Sequence, residues 1–323
     1  MATRIILHEH GEPDVMQLET FEPVPPGPGE VQIEQSAIGL NFLDIYQRRG
    51  LVPHQVPGGL GLEGAGTVVA VGEGVANLGL GDRVAYAGLM GAYASHRNAP
   101  ANRLIAIPDG IDDEVAAAAM LKGMTVDYLL TRVFPVGQGT RVLFYAASGG
   151  VGQIAGQWGA HLGAEMIGVT SGAENCAKAK ALGYAHTIDR LTDDIGARAR
   201  DLTDGGGVEV VFDSVGKDSF DASIAALARR GLFCLFGATT GNPPDIPPSL
   251  LQAKGSLFFT RPTLVDYIAD DGEYQASGRR IFDLIEQGVI TVSVNQTFAL
   301  SDVGAAHTAL ASGTTTGSTI LIP

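Results

Sequence analysis

The run Ala147-Ser148-Gly149-Gly150-Val151-Gly152 follows a buried-strand pattern, Arg141 to Ala147, and opens a helical one, Gly150 to Leu162. Strand, glycine turn and helix in that order aim the unpaired N–H groups of the helix at a point where a pyrophosphate can rest. In the dinucleotide fingerprint G-x-G-x-x-G the first glycine makes the turn, the second admits the phosphates to the backbone, and the third lets helix and strand pack closely. Gly149 and Gly152 fill the second and third places. Ala147 stands in the first, which a residue with negative φ can occupy. Alone, such a turn is a weak signal; its position inside a long alternation of strands and helices makes it a cofactor loop.

The end of the next strand reads Ile167-Gly168-Val169-Thr170-Ser171-Gly172-Ala173-Glu174-Asn175. A binder of NAD places an acid there, about 20 residues beyond the glycines, for the ribose 2′-hydroxyl. Here Thr170 and Ser171 occupy the spot, and no acid follows until Glu174. A small hydroxyl leaves room for a 2′-phosphate, which favours NADPH. Ser171 is also a candidate cap for a helix beginning near Ala173.

These residues need a scaffold, and the chain supplies an α/β one. Residues 1–120 read as short β-branched strands bounded by Gly, Pro and Asp, with a helix only around Asn41 to Arg49. Residues 121–261 alternate strand and helix, the signature of a doubly wound, Rossmann-type parallel sheet. The predicted strands are Arg141–Ala147, Glu165–Thr170, His186–Asp189, Val208–Asp213, Leu232–Phe236 and Ser256–Arg261, with a helix near Phe220 to Arg229. Residues 262–323 carry an amphipathic helix in "GRRIFDLIEQGVI" and a terminal strand in "GSTILIP". That strand has no obvious place in the parallel sheet and is expected to return to the β domain.

The chain has 323 residues, 45% of them hydrophobic and 17% charged, an ordinary globular composition. A net charge of −14 repels nucleic acid and anionic membrane surfaces. No apolar run is long enough to span a bilayer, and the N-terminus lacks a signal-peptide core. Two cysteines, Cys176 and Cys234, make no disulfide framework and read as buried and inert, so the cytoplasm is the expected compartment.

Taken together, "AIGLNFLDIYQRRG", "PGGLGLEGAGTVVAVGEGV", "LKGMTVDYLL", "AASGGVGQIAGQW", "VVFDSVG", "GSLFFTRP" and "TTGSTILIP" resemble the medium-chain dehydrogenase/reductase superfamily over nearly the whole chain. Within it the chain is similar to the zinc-free, zeta-crystallin-like quinone oxidoreductases. The resemblance implies a GroES-like catalytic domain beside the Rossmann domain, a cleft between them, and NADPH-dependent reduction of a small-molecule quinone by a homodimer. The rival readings are an NADPH-dependent enone, alkenal or enoyl-thioester reductase and a non-catalytic NADPH-binding protein. In zinc-dependent members a histidine follows the glycine where this chain has Leu62, and a cysteine stands at Asn41, so no metal is expected. Without a Lewis acid an isolated carbonyl is hard to reduce, whereas a quinone spreads the incoming charge over its ring and second oxygen.

The resemblance and the reading of the strand ends together assign residues. Asn41, Tyr46 and Thr125 are the catalytic candidates. Asn41, Thr125, Tyr128, Ser148, Gly149, Gly150, Val151, Ser171, Asn175, Arg190, Val215, Phe236, Gly237, Ala238, Phe259, Thr260, Arg261 and Gly317 are the cofactor candidates. Tyr46 reads equally as a pocket phenol or a core tyrosine, Asp44 as an anchor of its turn, and Lys122 as a site cation or a solvated helix residue. Arg261 is either a cofactor-pocket cation or half of a surface ion pair. Similar proteins often carry Lys at Asn175 and Tyr at Arg190 and Val52, so Arg190 becomes the expected partner of the 2′-phosphate, unless it merely pairs with Asp189 or Asp193.

Overall fold

The computed structural model describes residues 1–323, which form two compact units. The first is Met1–Met124 with Ile268–Gly288 and Val292–Pro323; the second is Thr125–Tyr267 with Val289–Thr291.

In the first unit the alternating strands build a seven-stranded sheet. In spatial order it runs Val294–Ala299, Ser318–Ile322, Glu30–Gly39, Glu63–Val71, Arg83–Ala87 and Ile105–Ala106, with His96–Pro100 also paired to Glu30–Gly39. The last strand of the chain lies here, Leu321 opposite Ile38 and Ile320 opposite Gly39. A smaller sheet, Met16–Phe21, Ala2–Leu7 and Gly58–Gly59, contributes Ile5 and Leu7 to a core shared with Val31, Ile33, Ile38, Val84, Tyr86 and Tyr93. Each such aliphatic side chain, fully buried, is worth about 1.5–3 kcal/mol. The pairing sets the site: Gly39 lies opposite Glu63, and Asn41 follows two residues later. The amphipathic helix starts earlier than its sequence pattern suggested, at Asp271, because Asp270 caps it by accepting the N–H groups of Gly272 and Glu273 at 2.8 and 3.1 Å.

The second unit is a six-stranded parallel sheet in the order His186–Asp189, Glu165–Thr170, Arg141–Tyr145, Val208–Asp213, Leu227–Leu235, Phe258–Thr260. This is the doubly wound order of the Rossmann fold. Leu143, Ile167, Val169, Val211 and Phe233 are buried together in its core. Several predicted boundaries move, among them the start of the strand predicted at Leu232, which begins at Leu227. The first strand stops at Tyr145 because Ala146 turns into the left-handed region at φ 54°. The helix Phe220–Ala226 ends early because Leu227 pairs with Val208; the sheet claims residues whose own propensity is helical. The last strand is only Phe258–Thr260, since Ser256 sits at φ 56° and breaks the extended run.

Candidate active site

In the first unit, Asn41 lies between the strand Glu30–Gly39 and the short helix Phe42–Arg48. Its backbone N–H donates to Asp44 Oδ2 at 2.8 Å, so Asp44 does anchor the turn. Its side-chain Nδ2 donates to Glu63 Oε1 at 2.8 Å. Lys122 Nζ donates to the same oxygen at 2.7 Å, and the Leu121 N–H donates to Oε2 at 2.7 Å. Glu63 is fully buried and the Lys122 side chain is 7% exposed, so Lys122 is no solvated helix residue. A buried ion pair survives its desolvation cost only when its remaining lone pairs are used, and here two further donors use them. A Cβ on Gly39 would overlap both the Glu63 carboxylate and the Ala117 carbonyl, so only glycine leaves the carboxylate its space.

A second buried chain meets the same turn. Tyr93 donates its phenol hydrogen to Asp44 Oδ2 at 2.8 Å, and its oxygen lies 3.0 Å from His307 Nε2. On the far side of the ring, Arg48 Nη1 lies 3.4 Å from His307 Nδ1. Arginine only donates, so Nδ1 accepts and Nε2 carries the hydrogen, which leaves Tyr93 free to donate to Asp44. Burial, with the Arg48 guanidinium adding to it, pushes His307 down to about 3 and keeps it neutral. Burial pushes Asp44 up to about 7, against the opposing hydrogen bonds from Asn41 and Tyr93. Tyr46 is half-buried on the same helix, its ring tilted against Phe42 at 6.0 Å. Gly317 holds φ 63° immediately before the strand Ser318–Ile322.

In the second unit, Gly149 caps the helix Gly150–His161 and its N–H closes the turn on the Ala146 carbonyl at 2.9 Å. Ala146, rather than Ala147, takes the left-handed conformation, which is how the turn forms without its first glycine. A Cβ on Gly152 would overlap the Ala146 carbonyl and come within 2.7 Å of Ala147 Cα, so this glycine is required by close packing of helix on strand. Ser148 Oγ pairs with Thr170 Oγ1 at 2.8 Å, tying the glycine turn to the next strand end. Ser148, Gly149, Gly150 and Val151 are all partly accessible.

At that strand end Gly172, not Ser171, caps the helix Ala173–Ala181. The Ser171 hydroxyl makes no hydrogen bond within the chain. Asp189 accepts the N–H groups of Gly172 and Leu191 at 2.8 and 3.1 Å and so shapes this corner, a role its place in the sequence did not announce. Asn175 Nδ2 donates back to the Ser171 carbonyl at 2.9 Å. Arg190 is exposed and makes no ion pair with Asp189 or Asp193, while Lys178 is taken up by Glu174 at 2.8 Å.

At the next strand ends, buried Asp213 accepts the N–H groups of Val215 and Gly216 at 2.7 and 3.1 Å and thereby holds Val215 in its turn. Phe236, Gly237 and Ala238 follow the strand Leu227–Leu235, with the Phe236 ring 5.6 Å from that of Phe144. Arg261, beyond Phe259 and Thr260, makes no surface ion pair and donates to the Gly237 carbonyl at 3.3 Å. Thr125 and Tyr128 are buried one helical turn apart, and the Tyr128 ring stacks on Tyr267 at 4.6 Å with an interplanar angle of 17°. Burial raises the Tyr128 phenol, which therefore stays protonated. Cys234 is buried as expected, but Cys176 is only half-buried; both are free thiols.

Two family models match the chain, the alcohol dehydrogenase GroES-like domain over residues 27–109 and the zinc-binding dehydrogenase over residues 150–276. With the split sheet architecture they define a medium-chain dehydrogenase/reductase. The chain is 45% identical over 325 residues to a quinone oxidoreductase of Pseudomonas aeruginosa, covering 100% of both. A solved structure of the Escherichia coli quinone oxidoreductase complexed with NADPH matches with a TM-score of 0.96 at 43% identity, over 99% of this chain and 100% of that one. A 2-haloacrylate reductase of a Burkholderia species is 39% identical over 333 residues, covering 100% of this chain and 99% of its own. The chain belongs to the quinone oxidoreductase family of this superfamily. The second model's description raises zinc, and the residues do not fit it: no group of three or more His, Cys, Asp or Glu side chains is arranged to hold a metal ion.

Proposed function

We propose that the protein reduces quinones with NADPH, without zinc. The observation that carries this is the full-length identity to quinone oxidoreductases, one of them crystallised with NADPH. Features of this chain support the cofactor. The tight Gly152 packing and the accessible N-terminus of the helix Gly150–His161 suit a pyrophosphate. The Ser171 hydroxyl and the unpaired Arg190 guanidinium suit a 2′-phosphate.

When bound, NADPH supplies the hydride. Ser148, Gly149, Gly150 and Val151 hold the pyrophosphate with backbone donors, and Ser171, Asn175 and Arg190 hold the 2′-phosphate end. Val215, Phe236, Gly237, Ala238, Phe259, Thr260 and Arg261 line the strand ends along which a dinucleotide lies. Thr125 and Tyr128 are the residues that would hold the nicotinamide end. In the first unit the proposed functional residues are Asn41, Tyr46 and Gly317; for a conjugated acceptor, positioning and a few hydrogen bonds suffice.

The proposed assembly is a homodimer in the cytoplasm. Phe258 is 62% exposed on the edge strand Phe258–Thr260, a surface that invites strand pairing, and both cysteines are free thiols. The test is a steady-state panel of quinones, alkenals, 2-haloacrylate and enoyl thioesters with NADPH and NADH. The expected result is the highest kcat/KM for quinones with NADPH, lowered by Asn41→Ala and Tyr46→Phe without loss of folding. Preference for an alkene would replace this reading with conjugated-alkene reduction, and cofactor binding without turnover would replace it with a binding role.

A further inference from the structure

We propose that Glu63 is a positioning residue that sets which end of the Asn41 side chain faces the ligand. The inference rests on the proposed reading in which Asn41 works at the reacting end. An asparagine amide can sit either way round, and its partners decide. Glu63 is ringed by three donors: Asn41 Nδ2 at 2.8 Å, Lys122 Nζ at 2.7 Å and the Leu121 N–H at 2.7 Å. Both Glu63 oxygens thus act as acceptors, one for Lys122 and one for the Leu121 N–H. Turning the Asn41 amide over would set Oδ1 against Oε1, two acceptors in contact. The buried carboxylate therefore draws Nδ2 inward and leaves Oδ1 as the end of the Asn41 amide turned away from Glu63. That oxygen accepts from a ligand donor, such as a carboxamide N–H or a ribose or hydroquinone hydroxyl. Lys122 supplies the counter-charge that lets a carboxylate stay here, and the missing side chain of Gly39 supplies the room.

Glutamine at 63 cannot reproduce this. Its amide has one accepting end for donors on two sides, so either the hydrogen bond from the Leu121 N–H to residue 63 is lost or an NH2 group faces Asn41 and turns that amide over. The test is a double-variant cycle of Glu63→Gln and Asn41→Ala, assayed with NADPH and 1,4-benzoquinone, with melting temperature measured beside kcat and KM. Glu63→Gln is expected to lower kcat about tenfold, one charged hydrogen bond's worth of orientation, with KM changed less than about twofold. In the Asn41→Ala background it is expected to have no further effect on kcat. If Glu63→Gln proves too unstable to assay, Glu63→Gln with Lys122→Met removes both charges together, and the same loss of kcat is expected. An equal kcat loss from Glu63→Gln in both backgrounds overturns the inference while leaving Asn41 in the site. So does a lowered melting temperature with unchanged kcat. If Asn41→Ala alone leaves kcat untouched, Asn41 is not at the reacting end, and the inference falls with that reading.

Discussion

Asp44 Oδ2 accepts two hydrogen bonds, from the Tyr93 phenol and the Asn41 backbone, both at 2.8 Å, while Oδ1 has no partner at all. This imbalance accompanies the burial that moves the Asp44 carboxyl from 3.8 up to about 7. Between those values the native protein binds more protons than the unfolded chain, so Asp44 makes stability fall as pH rises. His307, at the other end of the Tyr93 bridge, is pushed from 6.5 down to about 3, so the unfolded chain binds more protons and stability rises with pH. From about pH 4 to 6.5 the two slopes oppose each other. Removing one should expose the other. The stability of Asp44→Asn relative to wild type should rise by about 1.4 kcal/mol per pH unit in this window, and that of His307→Gln should fall by a similar amount. Urea unfolding at three pH values measures both, and curves parallel to wild type would contradict the titrations assigned to these two groups.

Arg190 is exposed at the proposed 2′-phosphate corner and makes no ion pair there. Arg190→Ala should cost NADPH on the order of 1.5–3 kcal/mol, roughly ten- to a hundredfold in affinity, and leave NADH binding nearly unchanged. Fluorescence titration with both cofactors at fixed salt decides it. Equal weakening of both would move the phosphate site elsewhere.

Gly152→Ala acts through shape rather than charge. Its methyl group would overlap the Ala146 carbonyl and crowd Ala147 Cα at 2.7 Å, neither of which can give way without moving the turn. A cost of about 1–3 kcal/mol in stability is expected, together with weaker binding of NADPH and NADH alike. Denaturant unfolding and the same titrations measure the two effects. Wild-type stability and affinity would show that the turn has slack.

Phe258→Lys places a charge on the exposed edge strand, the device by which proteins block strand pairing. A homodimer joined there should become a monomer by light scattering at micromolar concentration, with the fold retained by circular dichroism. A dimer that survives the substitution would place the subunit contact on another surface.

The Rossmann half could be read from the amino acids because its signals are local. Strand runs, helix periodicity and the spacing of Gly149 and Gly152 report how each segment meets its immediate neighbours. The absence of an acid near Ser171 is equally local, and so is Arg190 at the end of a short strand. Boundaries were less readable where tertiary pairing outweighs propensity, as where Leu227 joins Val208 in the sheet instead of prolonging its helix.

The composition of the buried polar cluster lay beyond such reading. Glu63 stands 22 residues from Asn41, Tyr93 stands 49 from Asp44, and His307 stands 259 from Arg48. No periodicity links positions so far apart. Whether a buried donor or acceptor finds its partner is a condition on the whole fold, met only once strands and helices have closed around it. The amino-acid sequence by itself therefore determined the glycine turn between strand and helix and the residue types available at the neighbouring strand ends. Only the tertiary structure decided that Lys122 is a buried counter-ion, that Asp44 and His307 share one tyrosine, and that Glu63 holds the amide of Asn41.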